Sequence, residues 1–517
     1  MVASPQADNN DPRDVLIRTL LLAAALTAIG GRGAEAAWRG HGQNSQHSGV
    51  APVTAQKLNR IAWKTPIDLD PQITGDVLFA HYGSAMITEG NTVILPVKTG
   101  AEGGFRVEAH SAGNGATLWS LDTDYVLPDH DWMPVFGPVL TLQNRVYYPG
   151  GAGLIRWRDA PNKAAGETGW FAFYGAAAYQ RNQAAYQASV KISTPLTADD
   201  AGNVYFGFVA ESGAPGRLRS GIARVAADGT GASISAAEAS GDPAMTQVQM
   251  NCAPAISYDK STLYIAVSNG SAGGYQGYLL GLDTKTLQLK YKIRLKDPSV
   301  GDDAEISDDS SAAPTIGPNG DVYFGVLARD YPYHHARGWL LHFDGTLKQT
   351  KIPGSFGWDI TPSIVSAAMV PSYKGKSGYL LMTKYNNYAG IGIVLGDGHN
   401  KIAILDPNGS QIDEYSSTNT AVMQEVLTMT GPTHFPGAPA GQVYEWCIST
   451  AVVDPTSSSV FVNSEDGHLY RWNLKTNTIA EGIQLNTPLP QAYTATIVGQ
   501  DGTVYTTNNS EFYAVRK

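Results

Sequence analysis

The sequence is poor in cysteine, in charge and in long apolar runs. Only two of its 517 residues are cysteine, which excludes a scaffold held together by several disulfides. Charged residues make up 16% of the chain, too few for a disordered or coiled-coil protein. The formal net charge of −10 excludes a typical nucleic-acid-binding protein, because such a protein needs a basic surface.

The one marked apolar run lies near the N-terminus. Arg18 precedes the stretch from Leu20 to Ile29, and Ala34-Glu35-Ala36 has the small-x-small pattern that a signal peptidase cleaves. The run is too short to span a bilayer, and no cysteine near the cleavage point indicates a lipid anchor. We therefore expect residues 1–36 to be a signal peptide cleaved after Ala36. Residues 37–517 then form a single periplasmic or secreted domain, which we expect to be a monomer.

Glycine and tyrosine are abundant, with 56 and 26 residues, and they belong to a repeated phrase. A Pro or small residue opens a short apolar run, a turn rich in Gly, Asp or Asn follows, and a Val-Tyr-type pair closes the phrase. Repetition of hairpins with a period of roughly 45–80 residues is typical of a β-propeller. The eight copies are Ser84–Ile94, Gly137–Tyr147, Thr194–Tyr205, Ala253–Tyr264, Ala313–Tyr323, Thr361–Leu380, Thr450–Phe461 and Thr496–Tyr505.

The two parts of the chain that flank the repeats complement each other. The last repeat ends with Phe512–Lys517, directly after its third strand, and so lacks its outermost strand. Ile61–Ile67, ahead of the first repeat, alternates as a half-buried strand does. Pairing the two removes an exposed strand edge. The sequence thus predicts an all-β fold, an eight-bladed β-propeller of four-stranded antiparallel blades, closed by an N-terminal strand that completes the C-terminal blade.

Little else indicates helix, apart from one short helix predicted within Ala176–Ala188. The two cysteines, Cys252 and Cys447, open the inner strands of the fourth and seventh repeats. Equivalent points three blades apart are on the order of 10–15 Å from each other, whereas a disulfide needs Cα atoms within roughly 7 Å. We therefore predict two buried, unpaired thiols.

Two sets of residues carry a resemblance to a known family. The segment Trp38–Gly49 and the blade phrases in Ala313–Gly325 and Gly467–Thr476 resemble the PQQ-like eight-bladed propellers, relatives of the quinoprotein alcohol dehydrogenases. That resemblance implies the fold over nearly the whole mature chain.

Several hallmarks of the catalytic quinoproteins are missing from this sequence. Those enzymes resemble one another in two adjacent cysteines over the quinone, and this chain has no adjacent pair. The tryptophan of the blade-docking motif is replaced, as in Leu282–Tyr291, and a Cys-x-x-Cys-His haem site is absent. The comparison implies an exported member without the catalytic hallmarks. We expect no cofactor, with PQQ and Ca²⁺ as the disfavoured alternative.

Polar loops lead into several inner strands or join second to third strands, on the face where propellers bind ligands. Their carboxylates, imidazoles, amide and guanidinium would surround one polar mouth of the channel, with tryptophans as walls. Aromatic rings stack on sugar faces and carboxylates bind sugar hydroxyls, and the same groups suit acid–base chemistry. The candidate ligand-binding residues are Asp129, His130, Trp132, Asp308, Asp309, His335, Arg337, Asn387, His399, His434, Glu445 and Trp446.

An acidic run stands out among these loops. Asp302–Asp309 contains five carboxylates in eight residues. Such a run suits Ca²⁺, which takes six to eight oxygen ligands, but the spacing lacks the glycine of an EF-hand loop. A solvated charged loop is the favoured interpretation, and we predict no metal site.

Two functions fit these observations. The first is a non-catalytic binding or scaffold protein whose ligand is a glycan or another protein at the channel mouth. The second is an enzyme that uses the same mouth, either a polysaccharide lyase or a quinoprotein-type dehydrogenase with a degenerate cofactor site. Converging acid–base groups would favour the enzyme, and scattered side chains would favour the binding protein.

Overall fold

The fold is an eight-bladed β-propeller, as the repeats predict. Each blade is an antiparallel sheet whose strands follow one another in chain order from the channel outward, except that the outermost strand of blade 8 comes from the N-terminal part of the domain. The computed structural model describes residues 38–75, 77–101, 103–329, 338–385, 399–414, 418–439, 441–446, 448–489 and 494–517.

Blades are numbered here along the chain, and their strands are given from the channel outward. Blade 1 comprises Met86–Ile87, Thr92–Lys98, Gly103–Ser111 and Thr117–Val126; blade 2 comprises Val139–Leu140, Arg145–Pro149, Ile155–Asp159 and Thr168–Phe171; blade 3 comprises Val190–Ile192 with Thr197–Ala198, then Val204–Ala210, Gly221–Val225 and Gly231–Ser235; blade 4 comprises Gln247–Val248 with Ala255–Ile256, then Thr262–Ser268, Gly277–Asp283 and Leu289–Arg294. Blade 5 comprises Thr315–Ile316, Val322–Leu327, Gly338–Phe343 and Gly354–Ser355; blade 6 comprises Ser363–Ser366, Tyr379–Tyr385, Lys401–Ile412 and Ala421–Thr430; blade 7 comprises Val452–Asp454, Ser459–Asn463, His468–Asn473 and Thr478–Gln484; blade 8 comprises Thr494–Val498, Val504–Asn508, Glu511–Arg516 and Arg60–Pro66.

The predicted ring closure is confirmed in blade 8. Arg60–Pro66 pairs antiparallel with Glu511–Arg516, and Trp63 lies opposite Ala514. The indole of Trp63 donates a hydrogen bond to the carbonyl of Ala112 at 2.9 Å, which ties this strand to blade 1. The strand that the last repeat lacks is therefore supplied from the other end of the domain.

Burial follows the position of a strand in its blade. Second strands such as Thr92–Lys98 and Thr262–Ser268 are buried along their whole length, because other blades cover both of their faces. The outermost strand Thr478–Gln484 alternates between exposed and half-buried residues, since one of its faces meets solvent. This gradient explains why the second strands carry the most apolar segments of each repeat.

One strand boundary was predicted wrongly. The repeat pattern predicts an inner strand at Ser449–Val452 in blade 7, but the strand that pairs within this blade is Val452–Asp454. Residues Ile448–Thr450 instead pair in parallel with Thr494–Val498 of blade 8. The free inner edge of blade 8 offers unpaired backbone groups, and the preceding residues of blade 7 satisfy them.

The helices differ from the expectation in number. The segment predicted as one helix forms two, Ala176–Arg181 and Gln183–Ser189, and a third helix is Ala236–Ser240. The third helix was missed, although its sequence carries a signal. Ser235 and Glu238 form a capping box, in which each side chain bonds the other residue's backbone N–H.

Short elements complete the described structure. A small hairpin of Ile73–Thr74 and Val77–Leu78 lies ahead of blade 1, and 3₁₀ turns occur at Gly151–Gly153, Pro215–Arg217, Ser271–Gly273 and Ala367–Met369. Over the described residues, no helix has both the length and the apolar character that a membrane crossing needs.

Candidate functional site

The base of the central channel is covered by residues 38–56, named here the floor segment. Its carbonyl groups accept hydrogen bonds from the second residue of the inner strand in six blades, at 2.7–3.0 Å. The donor–acceptor pairs are Ile87–Trp38, Leu140–Arg39, Ile256–Ser45, Ile316–Gln46, Ile364–Ser48 and Val453–Gly49. The order of these contacts follows the order of the blades, so the floor segment makes one turn around the channel.

Blades 3 and 8 meet the floor segment differently. Thr197 and Ala198 of blade 3 line a small cleft together with His41 and Asn44. At blade 8, the N–H of Gln56 donates to the carbonyl of Gly502 at 2.7 Å. The resemblance drew attention to Trp38–Gly49 without indicating where these residues go, and this route around the channel was not predicted.

The opposite end of the channel, the rim, is formed by the loops that lead into the inner strands. Asn251 organises one part of it, and it is 1% exposed. Its side-chain oxygen accepts from the N–H of Val135 at 2.9 Å, and its side-chain nitrogen donates to the carbonyls of Asp308 and Ser310, each at 3.2 Å. Its own N–H donates to the carbonyl of Ser193 at 3.0 Å. One side chain and its backbone thus join the lead-in loops of blades 2, 3, 4 and 5.

Carboxylates gather beside Asn251, and we name Asp131, Glu305, Asp308 and Asp309 the rim acid cluster. The carboxylate of Asp308 accepts from the side chain of Gln247 at 2.8 and 3.1 Å. The pKa of Asp308 is raised to about 6, chiefly by burial; the hydrogen bonds from Gln247 oppose this rise, and the charges of Asp309 and Asp131 contribute to it. Asp308 and Asp309 were predicted as ligand-binding residues, and the structure brings them together with Asp131.

The negative charge of the rim acid cluster also raises the pKa values of Glu305 and Tyr275. The pKa of Glu305 is raised to about 7, chiefly by burial and also by the charge of Asp309, while the charge of Arg329 opposes the rise. Burial raises the pKa of the Tyr275 hydroxyl to about 12, and Asp308, Asp131 and Asp309 contribute. Neither residue was among the predicted site residues, although Glu305 lies within the acidic run that the sequence analysis singled out.

The other residues of the blade 2 lead-in loop have different surroundings. Asp129 is exposed, and the ring of His130 donates to the carbonyl of Pro128 at 2.7 Å. Trp132 is only 9% exposed, and its ring meets Phe79 edge-on with centroids 4.7 Å apart. Trp132 is thus a packing residue in this structure.

A second group of predicted residues lies between blades 6 and 7. His399 is half-buried beside Gly441, and His434 is exposed. The carbonyl of Glu445 accepts from the N–H of Glu465 and the hydroxyl of Ser464, both at 3.1 Å. Trp446 is 1% exposed, and its indole donates to the carbonyl of Asn400 at 3.3 Å.

Three predicted site residues, His335, Arg337 and Asn387, lie outside the described residues, as does Cys447. Cys252 is confirmed as a free, buried thiol, and burial raises its pKa to about 12. Within the described ranges, no group of three or more His, Cys, Asp or Glu side chains is arranged to hold a metal ion.

Comparison with known proteins finds similarity of structure but no match by sequence. No protein-family model matches the sequence, and no curated protein is similar to it. A europium-containing methanol dehydrogenase superposes with a TM-score of 0.56 at 11% identity, covering 94% of this chain and 91% of that one. Quinohemoprotein alcohol dehydrogenases are similar too. The enzyme ADHIIG from Pseudomonas putida HK5 gives a TM-score of 0.54 at 12% identity over 96% of this chain and 78% of its own.

The quinohemoprotein alcohol dehydrogenase from Comamonas testosteroni gives a TM-score of 0.52 at 12% identity, covering 95% of this chain and 83% of that one. The cysteine pair that the resemblance associates with a quinone has no counterpart here, because Cys252 and Cys447 are far apart in the sequence. At such identities the likeness concerns the fold, so this chain is an eight-bladed β-propeller with the fold of the quinoprotein alcohol dehydrogenases.

Proposed function

We propose that this protein is a binding propeller that docks a basic segment of a partner protein against the rim acid cluster. The observation that supports the proposal is the convergence of carboxylates from two lead-in loops. Asp131 comes from the loop into blade 2, and Asp308 and Asp309 come from the loop into blade 5. Clustered acids of this kind, presented by loops on a rigid scaffold, suit the capture of a cationic group.

The charge balance at the rim favours this class of ligand. The charge of Arg329 lowers the pKa of Glu305, whereas the pKa of Asp308 is raised by burial and by two neighbouring carboxylates. An incoming ammonium or guanidinium group would stabilise the ionised carboxylates and would lower their pKa values. Asp129 and Asp131 are exposed, so an approaching chain meets negative charge first.

A glycan is the alternative ligand, because carboxylates also accept hydrogen bonds from sugar hydroxyls. Salt distinguishes the two classes. Binding of a basic segment weakens as ionic strength rises, since the interaction is between opposite charges. Binding of a neutral oligosaccharide changes little with salt.

The test measures binding of a fluorescein-labelled polylysine peptide by fluorescence anisotropy, at low and at physiological ionic strength. Replacing Asp131 and Asp309 together, D131N with D309N, is expected to raise Kd about tenfold, or about 1.4 kcal/mol. The matched control is D122N with D228N, which removes the same charge from exposed positions on blades 1 and 3. The control is expected to bind as the wild type does.

If both double variants bind the peptide equally weakly, the loss of affinity depends only on net charge, and the proposal is contradicted. A neutral oligosaccharide, such as a chitooligosaccharide, is titrated in parallel. Salt-independent binding of the sugar, lost in D131N with D309N, would assign the rim to a glycan instead.

A second candidate function is catalysis at the same rim, and Glu305 is the observation that favours it. A half-buried carboxyl whose pKa is about 7 suits a general acid or base at neutral pH. A polysaccharide lyase would form an unsaturated sugar, which absorbs in the ultraviolet. Product formation from uronic-acid polysaccharides that E305Q abolishes would support the enzyme. Identical absorbance traces with and without the protein would retire it.

A further inference from the structure

Two histidines of the floor segment lie side by side at the base of the channel. The rings of His41 and His47 meet edge-on, with centroids 4.9 Å apart. Nδ1 of His47 donates to the carbonyl of Pro314 at 2.7 Å, so this nitrogen carries the proton of the neutral ring. Nε2 of His47 is buried and has no hydrogen-bond partner.

Thr361 fixes the second imidazole. Its hydroxyl oxygen accepts from the N–H of Ala313 at 3.1 Å and donates to the carbonyl of Ser311 at 3.3 Å. Nε2 of His41, 3.0 Å from the same oxygen, therefore acts as a donor. Groups of blades 5 and 6 thus fix the orientation of both imidazoles.

The charged groups around the pair already have partners. On the floor segment, Arg39 lies 3.5 Å from Asp200. On blade 6, Asp359 lies 3.5 Å from Lys384 and also accepts from the N–H of Ser311. Among the described residues, no carboxylate is within ion-pair distance of His41 or His47, so a proton on either ring would be uncompensated.

Burial therefore acts on both rings without an opposing charge. Burial lowers the pKa of His47 to about 4, against a smaller rise from the carbonyl of Pro314. Burial also lowers the pKa of His41 well below its ordinary value, and the charge of His47 lowers it further. The two imidazoles therefore bind a proton less readily in the channel than they do in water.

We propose that the floor segment is a plug that leaves the channel when His41 and His47 become protonated. The segment is suited to separate movement because it contributes no strand to any blade and meets each of the six inner strands through only one or two backbone hydrogen bonds. Its departure leaves the four-stranded ladders of the blades intact. Water in the opened channel can then solvate the six exposed N–H groups.

The direction of the pH effect follows from the two states of the rings. Released histidines take up protons below their ordinary pKa of 6.5, whereas His47 in place resists protonation down to about 4. The bound state is therefore fully favoured above pH 6.5 and loses its advantage as the pH falls toward 4. For His47 alone, this loss amounts to about 300-fold in the equilibrium between bound and released plug.

The experiment is amide hydrogen exchange on the full chain at residue resolution, corrected for intrinsic rates, from neutral pH to about pH 4. Protection is expected to fall first at the six donors Ile87, Leu140, Ile256, Ile316, Ile364 and Val453. Amides in the second strands, such as those of Thr92–Lys98, are expected to keep their protection. Six donors that stay protected at about pH 4 would overturn the proposal, and so would simultaneous loss in the second strands.

Variants separate protonation from general acid damage. H41Q with H47Q keeps a side-chain donor at each position but takes up no proton, and it is expected to retain protection of the six donors in acid. If that double variant does not fold, H41Q alone serves, because His41 is only half-buried; its release is expected at lower pH than in the wild type. The control H434Q changes an exposed histidine of the rim and should respond to acid as the wild type does. Acid release that is identical in all variants would contradict a role for this pair.

Discussion

At the scale of single residues, chemical type was easier to predict than environment. Asp308 and Asp309 were selected because the acidic run is unusual, and the structure places them at the rim beside Asp131. Trp132 and Trp446 were selected as aromatic walls, and they are 9% and 1% exposed. Asn251 was not selected at all, although its side chain and backbone join four lead-in loops. A single asparagine carries no sequence signal for such a role.

The burial of Trp446 leads to a prediction about stability. W446A removes a large buried side chain and the hydrogen bond to Asn400, so we expect a loss of roughly 3–5 kcal/mol and a lower melting temperature. The matched control is F435A in the same loop, whose ring is 38% exposed. It is expected to cost about 1 kcal/mol or less. Differential scanning calorimetry compares the two, and similar melting temperatures would show that Trp446 is not a packing residue.

At the scale of elements, local patterns placed strands well and irregular segments poorly. Turn residues and alternating apolar residues located each hairpin, because both signals act between near neighbours in the chain. The floor segment has no such periodicity. Its conformation depends on backbone bonds to six inner strands that are distant in sequence. A left-handed residue, Gly49 with φ +64°, lets it turn against blades 6 and 7.

Gly49 therefore gives a test of how tightly the floor segment is held. A Cβ at this position would lie 2.3 Å from the hydroxyl oxygen of Ser363 and 2.8 Å from the carbonyl oxygen of Ala451. G49A is expected to lower stability by about 2 kcal/mol or more, through backbone strain and this clash. The control G213A has a similar φ, +88°, but open space around the added carbon. It isolates the strain, and urea unfolding of both variants measures the difference. Equal losses would mean that the floor segment yields to the added methyl group.

At the scale of the whole molecule, a buried cluster strengthens the seam where the ring closes. Nζ of Lys98, on blade 1, lies 3.0 Å from the carboxylate of Asp68, and both side chains are 1% exposed or less. The hydroxyl of Tyr82 donates to the same carboxylate at 2.9 Å and lies 3.2 Å from the hydroxyl of Ser510 in blade 8. The seam is thus held by a polar network as well as by the ladder between Arg60–Pro66 and Glu511–Arg516.

Breaking one half of this ion pair should be more harmful than removing both halves. K98M leaves the carboxylate of Asp68 buried without its cation, and we expect a loss of about 3–5 kcal/mol. K98M with D68N removes both charges, and much of the stability should return. Thermal unfolding of wild type, both single variants and the double variant completes the cycle. A double variant as unstable as K98M would show that the packing of the lysine stem, and not its charge, holds the seam.

The sequence by itself determined the number of blades, their order and the strand that closes the ring. Those features follow from a repeated local pattern and from the need to pair every strand edge. Only the tertiary structure decided the path of the floor segment, the meeting of Asp131 with Asp308, and the burial of both tryptophans. Each of these depends on contacts between loops from different blades, and such contacts arise from the closed ring and leave no periodic trace in the chain.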